Sequence, residues 1–184
     1  MRRLGAVVAA VLMLGAGQAH ADLLIATQEP GYRYCACTFA PGMESSGFDD
    51  SGFQVAKAPF CNLGSTCSPF DGTVVNVLET VVRKHVVLTG TPLNPVLTIR
   101  FHSAAVVYVN GRRIGSFGNG CAEQSNSTRL DVPDGLLRGG DNVITVEVVR
   151  SFNDPLGFFD LMLEAEGATA VNKSTWGNLK SMYR

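Results

Sequence analysis

Asn110-Gly111 stands between Val106-Val107-Tyr108-Val109 and Arg112-Arg113-Ile114-Gly115. Both central residues of a type I′ turn need positive φ, which glycine adopts freely and asparagine more readily than most residues. The twist of that turn matches the twist of paired strands, so these ten residues are expected to form a two-residue β-hairpin. A lone hairpin is marginal in water and needs further strands to cover its apolar face. The hairpin thus commits the chain to a larger sheet structure.

The flanking sequence supplies those strands. Residues 73–88, TVVNVLETVVRKHVVL, are dense in valine, whose β-branched side chain fits a pleated surface better than a helix. Pro92 and Pro95 are expected to mark a turn, after which Val96-Leu97-Thr98-Ile99-Arg100-Phe101-His102 partly alternates as a half-buried strand does. Residues 104–109 continue into the hairpin. Beyond a polar loop, 117–127, come Arg129-Leu130-Asp131-Val132 before Pro133, then Leu136-Leu137 among turn residues. Residues 143–149 and 158–165 read as two more strands, the second closing the domain. Short strands, Gly/Pro/Asn turns and no long amphipathic helix point to an all-β antiparallel β-sandwich.

The first 21 residues stand apart. Arg2 and Arg3 precede an apolar stretch from Val7 to Leu14, and Ala19-His20-Ala21 is a small-x-small cleavage site. This is the pattern of a secretory signal; the apolar stretch is shorter than the ~18–20 residues of a spanning helix. We therefore expect cleavage near Ala21, a mature chain starting at Asp22, secretion to the periplasm, cell surface or medium, and no transmembrane segment. Losing Arg2 and Arg3 leaves 13 basic against 16 acidic residues. Nucleic-acid binding draws its affinity from concentrated positive charge, so that partner class is set aside. The sandwich is expected over residues 22–167, followed by a tail over 168–184.

Export places the five cysteines in an oxidising compartment. Their spacing, C-x-C and C-x5-C with a distant fifth, matches no zinc pattern. Cys61–Cys67 closes a short Asn/Gly/Ser/Pro loop and is the expected disulfide, leaving Cys121 to pair with Cys35 or Cys37. The fifth thiol is then buried and free or, alternatively, bridges to another chain.

Taken in order, Val106-Val107-Tyr108-Val109-Asn110-Gly111, Leu130-Asp131-Val132-Pro133, and Leu136-Leu137-Arg138-Gly139-Gly140-Asp141-Asn142-Val143-Ile144-Thr145-Val146-Glu147 resemble the galactose-binding-domain-like jelly rolls that serve as accessory modules in bacterial secreted proteins. Asp50-Ser51-Gly52-Phe53 with Ala58-Pro59-Phe60 is similar to the stretch that opens them, with Phe53 in place of the usual tryptophan, expected as a core aromatic. The similarity spans residues 45–166. It implies a jelly-roll sandwich and carbohydrate binding, and a structural calcium held by oxygen ligands, for which Asp49, Asp50 and Glu164 are the candidates.

No catalytic constellation accompanies it. His85 and His102 fall inside expected strands, and there is no G-x-S-x-G, H-E-x-x-H or Gly-rich phosphate loop. The chain is read as a non-enzyme. Ligand contacts on a rigid sandwich come from loops at one rim. Asn119, Glu123, Gln124 and Asn126 in one loop, and Arg150, Phe152, Asn153 and Asp154 around another, carry the amides, carboxylates, guanidinium and ring that engage sugars. The rival reading is a structural or adhesive surface protein with protein partners at its strand edges or tail. In that tail Trp176, Leu179, Met182 and Tyr183 recur at helical spacing beside Lys180 and Arg184, as in a short amphipathic docking helix; a frayed end is the alternative.

Overall fold

The computed structural model describes residues 21–61, 71–120, 127–150 and 158–171. Eleven strands follow in order: β1 (Asp22–Ile25), β2 (Pro30–Cys35), β3 (Gln54–Lys57), β4 (Phe60–Cys61), β5 (Thr73–Val74), β6 (Glu79–Leu88), β7 (Leu93–Val109), β8 (Arg112–Gly120), β9 (Ser127–Asp131), β10 (Gly140–Val149) and β11 (Phe158–Glu166). No described helix is long and apolar enough to cross a membrane.

The strands form the expected all-β sandwich, and β7 joins its two layers. Its first half pairs antiparallel with β11 and β9 in one sheet; its second half pairs with β10 and β8 in the other. The first sheet is completed by β1 and β4 on the far side of β11, with β5 parallel to β4. The second runs β3-β2-β6-β10-β7-β8. Alternate residues of the long strands meet between the sheets: Leu97, Ile99, Ala105, Val107 and Val109 from β7, Ile144 and Val146 from β10, Phe159, Leu161, Leu163 and Ala165 from β11. This period of two is the packing rule of a half-buried strand.

The hairpin forms as read, with φ of 48° at Asn110 and 87° at Gly111. Three expectations change. Residues 73–88 are two strands, since the chain leaves the first sheet after Val74 and enters the second at Glu79. Pro95 lies within β7 rather than in a turn, close to where pairing with β11 slips between Glu164 and Glu166, and a bulge tolerates a residue that lacks an N–H. Residues 168–171 belong to the packed structure: Ala168 is buried, Ala170 bridges Leu88, and Val171 N donates to Val87 O at 2.7 Å. The expected leader over 1–20 and the helical pattern of 172–184 lie outside the described residues.

Gly72 shows why one glycine is obligatory. A Cβ there would stand 2.3 Å from the Pro59 carbonyl oxygen, the same oxygen that accepts a 2.8 Å bond from Thr73 N. Phe53, expected in the core, is instead half-buried and packs edge-on against Phe48, with centroids 5.8 Å apart. Residues 36–53 run as a strap over the outer face of the second sheet, so Phe53 closes against the strap and not between the layers.

Candidate functional site at one rim of the sandwich

Strand register brings the ends of several strands to one end of the molecule. Cys61 pairs with Phe158, Phe158 with His102, Ser103 with Gly120, and Ala104 with Val149. The ends of β4, β8 and β10 and the start of β11 therefore share one rim. The starts of β5 and β9 lie near it too: Thr73 and Val74 are beside Phe60 and Cys61, and Ser127 is opposite Arg100. The residues between these strand ends, 62–70, 121–126 and 151–157, lie outside the described residues.

At this rim lies a cleft lined by Phe60, Val75, Leu78, Val148, Phe158 and Arg150, among others, with about 360 Å³ of empty space counting its open mouth. Its enclosed part has room for no more than a water or two, so the cleft by itself does not bury a sugar ring. Arg150 is its cation. It follows the last residue of β10, its backbone N donates to Leu78 O at 2.7 Å, and its Nε is buried without a hydrogen-bond partner. A buried guanidinium nitrogen lacking an acceptor costs free energy that an incoming hydroxyl or carboxylate oxygen offsets. Of the residues proposed from sequence, Arg150 is placed at this rim. The side chain of Asn119, and Glu123, Gln124, Asn126, Phe152, Asn153 and Asp154, lie outside the described residues.

A second charged cluster sits on the outer face of the second sheet, and sequence reading missed its geometry. Arg83, 0% exposed, donates from Nε to Asp50 Oδ2 at 2.8 Å, from Nη2 to Ser45 O at 3.1 Å, and also to Met43 O; Phe48 lies over its guanidinium. Arg33 approaches the other Asp50 oxygen at 3.5 Å, and His85 Nε2 lies 2.6 Å from Oδ2. Burial pushes the Asp50 carboxyl up, but hydrogen bonds from His85 and Arg83 and their charges outweigh it and hold the group below its ordinary range. The signal for this in the sequence is a lone arginine inside an apolar strand, which must find an anion if it is buried.

The three calcium candidates lie apart from one another. Asp50 is spent on two guanidiniums and an imidazole, Asp49 is exposed and accepts from Ser51 N at 3.0 Å, and Glu164 sits on the other sheet, 3.8 Å from Arg129. The three do not converge, and among the described residues no group of three or more His, Cys, Asp or Glu side chains is gathered to hold a metal. The cysteine pairing is corrected. Cys35 and Cys37 are bonded to each other, with Cα atoms 5.2 Å apart, a separation within the span a disulfide bridges, which leaves neither for Cys121. Cys61 is disulfide-bonded; its expected partner Cys67, and Cys121, lie outside the described residues. Both histidines lie on strands: His102 is buried opposite Phe158, and His85 is held by Asp50.

No family model matches the chain, and no curated protein is significantly similar to it. Solved structures do match. Bacteroides uniformis beta-glucuronidase 2, bound covalently to cyclophellitol-6-carboxylate aziridine, superposes with a TM-score of 0.58 at 15% identity, covering 80% of this chain and 18% of its own. A glycosyl hydrolase family 2 member from Bacteroides cellulosilyticus gives 0.55 at 19% identity, covering 76% and 20%. Ruminococcus gnavus beta-glucuronidase, in complex with uronic isofagomine, gives 0.52 at 10% identity, covering 78% and 28%. The chain thus spans 18–28% of these enzymes' length. At such identities the likeness carries the sandwich fold. It sets the chain beside glycosidases without singling out the galactose-binding modules.

Proposed function

We propose that this chain is an exported, non-catalytic carbohydrate-binding sandwich of the galactose-binding-like type, with its ligand site at the rim where β4, β8 and β10 end, β11 begins and β7 crosses between the sheets. The observation that carries the reading is the gathering of the described ends of β4, β8, β10 and β11 at one edge beside Arg150, whose Nε is buried without an acceptor. A rigid sandwich that fixes loop ends while leaving loop sequence free suits recognition, and the glycosidase neighbours support a saccharide as ligand.

The test is a glycan array probed with the chain from Asp22, alongside Arg150→Ala, with calcium and again with chelator. Saturable binding to one sugar class, weakened by Arg150→Ala and indifferent to chelator, is the expected result. A blank array for a folded chain overturns the proposal and favours the structural or adhesive reading. For that reading the short outer strand β3 is the natural contact, since its Val55 is 72% exposed on an unpaired edge.

A further inference from the structure

Cys35 closes β2, where it pairs with Val81 of β6, and Cys37 lies two residues on, at the foot of the strap. Both are half-buried, in contrast to Cys61, which is 2% exposed. The strap is anchored by contacts beyond Cys37. Phe39 stacks on Tyr108 with rings 6° from parallel and centroids 5.4 Å apart, Phe39 N donates to Glu79, and Met43, Ser45 and Asp50 are held by Arg83. The strand before it is fixed by its ladder with β6. The Cys35–Cys37 bond therefore restrains a stretch that is already restrained on both sides. It also closes a loop of minimal length, so it removes little entropy from the unfolded chain. A disulfide that is reachable and of little consequence for stability belongs to the labile, exchanging kind.

We infer that Cys35–Cys37 is a thiol–disulfide exchange site for thiols of the glutathione type, working while the sandwich stays folded. An incoming thiolate attacks one sulfur of the pair and forms a mixed disulfide; the other cysteine departs as a thiolate and takes up a proton. A second thiol attacks the mixed disulfide and leaves as the oxidised reagent, releasing the second cysteine, which is protonated in turn. The pair has then gained two electrons and two protons, and the reverse sequence oxidises two thiols.

The test uses the folded chain. Any free thiol is first blocked with N-ethylmaleimide; the chain is then held in graded mixtures of reduced and oxidised glutathione, labelled with iodoacetamide and mapped by peptide mass, with circular dichroism recorded in parallel. Cys35 and Cys37 are expected to become labelled about tenfold or more faster than Cys61, with the β-sheet signal unchanged. A Cys35→Ser/Cys37→Ser variant is expected to keep the wild-type melting temperature. Labelling of Cys35 and Cys37 in step with Cys61, loss of sheet signal on their reduction, or maleimide on both before any reductant is added would each overturn the inference.

Discussion

Asp160 supplies the sharpest quantitative prediction. It lies on β11 opposite Arg100, is 2% exposed, and its Oδ1 accepts from Leu161 N at 2.9 Å and Gln28 N at 3.2 Å. Burial raises its pKa; the two N–H donors and Arg100 pull the other way and lose, and the group is pushed up to about 6. In the unfolded chain an aspartate titrates near 3.9. A gap of about two units corresponds to about 3 kcal/mol, an order-of-magnitude figure for the penalty this carboxylate imposes on the folded state when ionised. The penalty is present in full above pH 6, where both states are ionised. It fades as pH falls, because the folded state takes up its proton first, and it is gone below the unfolded value.

Asp160→Asn isolates this effect, because both bonds fall on Oδ1 and an uncharged amide oxygen can accept both. The variant is expected to be more stable than wild type by up to about 3 kcal/mol at pH 7.5, with the advantage shrinking toward zero at pH 4. Urea unfolding at pH 4, 5, 6 and 7.5 reads the difference between the two chains, in which the titration of other groups cancels. A difference independent of pH, or a variant less stable at pH 7.5, would show that Asp160 does not carry a buried charge in the folded state.

Asp50→Ala leaves the fully buried Arg83 without its anion and is expected to cost about 3–5 kcal/mol by urea midpoint at pH 7. The pH trend of this group runs opposite to that of Asp160. Its lowered pKa contributes stability above the unfolded carboxylate value and loses it as pH falls through the folded one, so the wild-type advantage over Asp50→Ala narrows in acid. Asn142, 0% exposed, donates to the Arg138 and Gly140 carbonyls and accepts from Arg138 N and Asn110 Nδ2. Asn142→Ala strands those buried partners and is expected to lose about 2–4 kcal/mol in the same assay. Gly72→Ala drives a methyl onto the Pro59 carbonyl and is expected to lower the melting temperature, at a cost of about 1–3 kcal/mol or more.

What the sequence disclosed depended on how local the cause was. The Asn110-Gly111 turn is decided by two residues and formed as read. The strands of β7, β10 and β11 carry their own two-residue period, so their existence was legible, whereas the fusion of two expected strands into one 17-residue strand depends on pairing partners in two sheets. β1 and β2 went unread for a physical reason: Asp22-Leu23-Leu24-Ile25 is too short to show alternation, and Pro30-Gly31 opens β2 with turn chemistry. Asn142 looked like a turn residue and is also the centre of a buried network, because its partner Asn110 arrives from another hairpin. Arg150 stood out as the charged edge of a loop; its buried Nε is a consequence of β10 ending at the rim.

The same division between local and tertiary causes separates stability from recognition in this molecule. Asp50, Asn142, Gly72 and Asp160 act on elements that hold the layers, the strap and the hairpin together, and none of them lines the cleft at the rim. Arg150 lies at the end of a strand that is already fixed by pairing along its length with β6, so its side chain can change without disturbing the ladder. Substitutions of the first kind should move the unfolding midpoint while the folded fraction keeps its pattern of glycan preference. Arg150→Ala should weaken glycan binding without lowering the midpoint, since the buried unpaired Nε goes with the side chain. If glycan preference instead followed stability across both sets, the ligand would be reading the integrity of the whole sandwich, and contact would have to be sought along the sheet faces or the β3 edge and not at the rim.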